Sequence, residues 1–155
     1  MLSGVANFVE NGHPATLSYD VTLDSRWHTK SCLVSGIMGE QPIELHIEVN
    51  QARQWSVNGT ACPEVTGCID IDLAFSPVTN TLPMRRLNLP VGQKATVTTA
   101  WLNLPVPMLT VLTQEYERVG EKRYNYRAGD FTAKLRVRDN GLVTEYSGLW
   151  KEDQG

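Results

Sequence analysis

Leu17-Ser18-Tyr19-Asp20-Val21-Thr22-Leu23-Asp24 alternates apolar and polar side chains without a break. In an extended strand successive side chains point to opposite faces, so this stretch reads as a strand with one face buried and one in water. Ile43, Leu45, Ile47 and Val49 repeat the pattern against Glu44, His46, Glu48 and Asn50, and Phe131, Ala133, Leu135 and Val137 do so against Thr132, Lys134, Arg136 and Arg138. The polar alternate positions exclude a wholly parallel sheet, whose strands are buried on both faces and read as continuous apolar runs. Antiparallel pairing is therefore expected.

Working outward, turn signals separate the runs at Glu10 to Gly12, Met38 to Glu40, Val57 to Gly59, Ala128 to Asp130 and Asp139 to Gly141. Each is a short Gly- or Asn-Gly-containing hairpin connection. Further strands are expected over 3–9, 27–37, 53–57, 95–104, 108–118, 122–127 and 142–146. Leu109 to Val119 is the one segment with helix formers in number, yet Thr110, Val111, Thr113 and Tyr116 favour a pleated surface, and we read it as a strand. Gly148 to Trp150 closes the last strand, with 151–155 frayed. About ten antiparallel strands cannot lie flat with free edges, so the fold class is all-β, one domain over residues 1–155: a meander curled into a barrel or half-open barrel, with a β-sandwich as the alternative.

The 17 acidic and 14 basic residues give a net charge of −3, which leaves no polycationic field for nucleic acid. No apolar run approaches the roughly 20 residues that span a bilayer, and Met1 to Asn11 lacks the pattern of a secretory leader, so a cytoplasmic location is expected. Cys32, Cys62 and Cys68 lack Cys-x-x-Cys spacing and His13, His28 and His46 lack ligand spacing to one another, so no metal or other cofactor is expected and the thiols are read as reduced. A Cys62–Cys68 bridge across Pro63 and Gly67 is geometrically conceivable.

The chemistry-bearing stretch is Thr66 to Leu89, with an alternating acidic pair, Asp70 and Asp72, a proline-broken loop through Asn80, and the adjacent basic pair Arg85 and Arg86. Two residues apart on a strand, both carboxylates share one face. The adjacent arginines diverge, so one of them faces the carboxylates. Two roles stand open for these charges: a structural clasp that anchors the loop, or the polar end of a pocket. Trp55, Trp101, Tyr116, Tyr124 and Tyr126 offer large amphipathic surfaces, either as core or as lining for a sugar or lipid. A rival enzymatic reading makes Asp70 or Asp72 a base and Arg85 or Arg86 the stabiliser of a developing anion.

Several segments together resemble a family of bacterial proteins labelled "putative glycolipid-binding": Leu17 to Trp27, Trp55 to Gly59, Gly67 to Leu73, Thr79 to Leu87, Gln114 with Tyr116, Tyr124 to Tyr126, and Gly141 to Trp150. The most specific are Gly-Cys-Ile-Asp-Ile-Asp-Leu and Asn-Thr-Leu-Pro-Met-Arg-Arg-Leu. The resemblance implies an antiparallel half-open barrel shaped like bacterial lipoprotein carriers, with an apolar concavity for a lipid or glycolipid, and the leading expectation is a non-enzymatic binder. It carries over no catalytic residue. Members begin a strand or so before the position of Leu2; if that segment is absent here, one sheet edge is unpaired, which invites a homodimer through it and makes an interaction module that dimerises by strand pairing a third reading.

Overall fold

The computed structural model describes residues 1–152. It is nearly all-β and mostly antiparallel, with two sheets, one of them curled into a half-barrel. The first sheet is an antiparallel meander of β1 (Leu2–Glu10), β2 (His13–Leu23), β3 (Thr29–Met38), β4 (Gln41–Val49), β5 (Trp55–Val57) and β6 (Thr60–Ala61). The second holds β7 (Asp70–Leu73), β8 (Lys94–Leu102), β9 (Leu109–Gly120), β10 (Arg123–Ala128), β11 (Phe131–Val137), β12 (Val143–Tyr146) and β13 (Trp150–Lys151). The alternation at Leu17 to Leu23 is realised in β2, where Leu17, Tyr19 and Val21 are buried and Ser18 and Asp20 exposed. Asn11 and Gly12 both take positive φ between β1 and β2, as the tight primed turn of a hairpin requires.

Three expectations need correction. The meander is broken once, because β7 pairs with β8 in parallel. A parallel pair needs a crossover, and residues 74–93 supply it through a 3-10 turn at Pro77–Asn80 and α1 (Thr81–Leu87). That segment, expected as an irregular proline-broken loop, is partly helical, whereas Leu109 to Val119 lies in the long strand β9, as expected. Pro83 falls in the first helical turn, where its missing N–H has no intrahelical partner to lose, and Asn88 stops the helix in the left-handed conformation, donating to the Met84 carbonyl at 3.1 Å. A seven-residue helix is marginal alone; Leu82, Pro83 and Met84, all buried, hold it by packing. Lys151 belongs to β13 rather than to a frayed end; 153–155 lie outside the described residues.

Two apolar clusters result. Leu17, Val21, Val34, Leu45 and Trp55 of the first sheet pack against Ile71, Leu73, Ala100 and Leu102 of the second. Met84 of α1 packs with Tyr116, Tyr124, Tyr126, Leu135 and Tyr146. Cys32, Cys62 and Cys68 are free thiols, with Cys32 pushed up to about 12 by burial. Among the described residues the outer strands are β1 and β6 in the first sheet and β13 and β7 in the second, and no helix is long and apolar enough to cross a membrane.

Candidate functional site

Register places the chemistry on one face of the second sheet. Asp72 lies opposite Trp101, Val97 opposite Gln114, and Tyr116 opposite Tyr126, so Asp70, Asp72, Trp101, Gln114, Tyr116 and Tyr126 all point the same way. The crossover folds back over this face and delivers Asn80 and Arg86 to it. Nearby strands are tied to the first sheet by Arg53, whose positive φ of 56° turns its guanidinium onto three carbonyls: Cys68 at 3.1 Å, Thr29 at 2.9 Å and Ile69 at 2.6 Å. The Ile71 N–H then donates to Thr29 Oγ1 at 3.1 Å, so the start of β7 is tied to the first sheet.

The two aspartates meet different partners. Asp70 is wholly buried and its Oδ2 takes an ion pair from Arg86 Nη2. Its Oδ1 finds no donor among the described residues, and burial outweighs the single guanidinium contact, so the carboxyl lies above its ordinary value. Arg85 turns the other way, its guanidinium 4.4 Å from the centre of the Trp27 ring and donating to the Asn140 carbonyl. The adjacent arginines do diverge, and Arg86 alone reaches a carboxylate.

Among the described residues Asp72 is paired with no cation. Its Oδ2 accepts from the Gln114 side-chain amide, while Tyr116 OH donates to Gln114 Oε1 at 3.2 Å and accepts from Asn80 Nδ2 at 2.8 Å. The donors run in one direction, Asn80 to Tyr116 to Gln114 to Asp72, so each amide's orientation is set by its neighbour and the chain ends on the carboxylate. The Thr79 hydroxyl also lies beside the Asp72 carboxyl and favours its ionised form. Burial pushes the Asp72 carboxyl up to about 6, against the opposing pull of the Gln114 bond, with the Asp70 charge adding to the rise. The Asp72 charge in turn adds to the burial that raises the hydroxyls of Tyr116, Tyr126 and Tyr146.

Asp72 and Asn80 form the floor of a cleft of about 930 Å³ between the outer strands of the two sheets. One wall comes from β1, with Phe8 stacked on Phe75 at 5.9 Å, and the other from Val143, Tyr146, Leu149 and Trp150. Tyr126, Phe131 and Tyr146 form an aromatic group beside the floor, with centroids 5.8 to 6.3 Å apart. This volume lies in the range of small-molecule sites, and the combination of apolar walls with a few convergent polar atoms is what such sites share.

Of the residues singled out in the sequence, Asp72, Asn80, Trp101 and Tyr126 line the cleft, and Tyr116 stands behind its floor. Asp70 and Arg86 form a buried clasp beside it. Trp55 is elsewhere, buried in the first cluster with its indole N–H donating to the Cys68 carbonyl at 3.0 Å, and Tyr124 lies under the Arg118 guanidinium at 5.8 Å. The carboxylate that the enzymatic reading requires is in the cleft, but Arg86 is engaged by Asp70 and Arg85 by Trp27. Sequence reasoning missed Arg53, named Tyr146 only among the aromatic residues in general, and named Gln114 only within the family resemblance. Gln114 had a signal: it is polar in the inward phase of a strand, between Leu112 and Tyr116.

A crystal structure of a DUF1089 family protein from Pseudomonas aeruginosa superposes with a TM-score of 0.84 at 29% identity, over 99% of this chain and 93% of that one. No curated protein matches the chain. The family model described as "Putative glycolipid-binding" matches residues 1–152, and the chain belongs to that family.

Proposed function

We propose that the cleft binds a lipid or glycolipid without chemical turnover, apolar chains against Phe8, Phe75, Leu104 and Leu149 and the polar end against Asp72 and Asn80. The observation that carries this reading is the meeting, in one cavity of about 930 Å³, of aliphatic and aromatic walls with two polar side chains, Asp72 and Asn80, fixed by a buried hydrogen-bond chain. Aromatic faces such as Trp101 and Tyr126 suit sugar rings, and carboxamide and carboxylate oxygens suit their hydroxyls. Family membership supports a binding role in general terms.

Apolar burial supplies the affinity, at about 0.8 kcal/mol per methylene, so each added methylene should tighten binding about fourfold until the cleft is full. A series of alkyl glucosides from hexyl to dodecyl, measured by calorimetry below their micellar concentrations, tests this directly. The expected result is one-to-one binding that strengthens with chain length. Binding that ignores chain length, or none at all, together with no lipid retained in native mass spectrometry after mild purification, contradicts the proposal.

A further inference from the structure

We infer that the polar end of the ligand carries a protonated amine that pairs with Asp72, an inference that rests on the amphiphile-binding reading of the cleft. The argument begins with charge. Among the described residues the charged ones lining the cleft are Glu10, Asp72, Arg138 and Glu152, and the single cation of these, Arg138, is already paired with Glu152. Asp70 is neutralised by Arg86 behind the floor. The floor therefore presents one carboxylate with no counter-charge in a desolvated setting, where an ion is costly until it is paired.

The hydrogen-bond polarity agrees. Gln114 and Asn80 spend one N–H each on Asp72 and Tyr116, and the ionised Asp72 carboxylate that lines the cleft can only accept. A ligand group rich in donors is called for, and an ammonium has three. Tyr126, Tyr146 and Phe131 beside the floor add ring faces of the kind that attract a desolvated cation. An anionic head would meet Asp72 and Glu10 with no free cation among the described lining residues. A neutral sugar would satisfy the acceptors but leave the charge unpaired.

Protonation of Asp72 should compete with the amine. The titratable or charged groups packed about the carboxylate are Asp70 on its own strand, Arg86 from α1, and Tyr116, Tyr126 and Tyr146 from β9, β10 and β12. The tyrosines stay neutral across the range in question, and Asp70 with Arg86 acts as a pair. With the Asp72 carboxyl pushed up to about 6 by burial, amine binding should be full at pH 7.5 and fall below pH 6, by about tenfold per pH unit.

The test uses the whole chain and three probes of equal tail length: decylammonium, decyl glucoside and decanoate, titrated by calorimetry at pH 7.5 below their micellar concentrations. Decylammonium should bind about tenfold more tightly than either of the others, or better, and Asp72→Asn should remove that advantage. Equal affinity for decylammonium and decyl glucoside, or an unchanged preference in Asp72→Asn, overturns the amine and leaves the lipid-binding reading intact. Failure of all three probes overturns both. Should Asp72→Asn not fold, the ranking of the three probes on the wild type and the loss of decylammonium binding between pH 7.5 and 5 decide the matter.

Discussion

Asp70 and Asp72 are the same residue on the same face of one short strand, yet they sit in opposite regimes. Asp70 is sealed under α1 against a guanidinium, and Asp72 faces a cleft against a neutral amide. The strand supplies only direction; what the crossover brings down on each position supplies the role. Arg86 reaches Asp70 because α1 runs from Thr81 to Leu87 and its last turn passes over the start of β7, while Asn80, at the other end of α1, reaches the Tyr116 hydroxyl. One insertion thus builds a clasp with one end and a floor with the other.

The largest effect should come from breaking the clasp. Arg86→Ala leaves the Asp70 carboxylate buried without a counter-charge, and we expect a loss of about 3 to 5 kcal/mol in chemical denaturation. Replacing both partners together, Asp70→Leu with Arg86→Met, should be far milder than the single change, since no charge is then orphaned. A double variant as unstable as Arg86→Ala would show that the ion pair itself, and not the orphaned charge, dominates.

Next in size, and opposite in sign, is Asp72→Asn. The folded carboxyl sits near 6 against an ordinary 3.8, so the folded state binds the proton more tightly than the unfolded chain. The group therefore costs nothing below about pH 3.8, and its penalty grows as pH rises, reaching about 3 kcal/mol above pH 6. Asp72→Asn should stabilise the protein by up to that amount at pH 7.5, and the gain should fade on acidification to pH 4. Loss of stability at pH 7.5 would erase the contrast between the two aspartates.

Tyr116→Phe should cost about 1 to 3 kcal/mol, because the lost hydroxyl strands the Asn80 amide and Gln114 Oε1 in the interior. It should also loosen Gln114 and so weaken ligand binding, which Arg86→Met with Asp70→Leu should not do. The smallest effect belongs to Arg85→Ala, which removes a stacked but accessible guanidinium from Trp27 and should cost about 0.5 to 1 kcal/mol with ligand affinity unchanged. A loss of binding in Arg85→Ala would extend the site beyond the cleft.

How much of this was legible in the sequence follows from the range of the forces involved. The strands announce themselves because period-two burial is local: β2, β4 and β11 can be read residue by residue. The shared face of Asp70 and Asp72 and the divergence of Arg85 and Arg86 are likewise consequences of local geometry. Helix α1 was not legible, since it is seven residues long, contains Pro83 and owes its existence to buried contacts made elsewhere in the chain. The parallel pairing of β7 depends on that crossover and was hidden with it. Trp55 and Trp101 look alike as letters; only the tertiary arrangement puts one in the core and the other in the cleft. Arg53 could not be found because its three acceptors lie 15 to 24 residues away along the chain.

The most direct test of the account is the carboxyl titration of Asp70 and Asp72 by carbon-13 NMR, run with and without decylammonium. Asp72 should titrate near pH 6 in the free protein, and the amine should lower that midpoint while leaving the Asp70 resonance in place. An Asp72 carboxyl that titrates at the ordinary value, or one indifferent to the amine while Asp70 responds, would contradict the division of the two aspartates into clasp and binding floor.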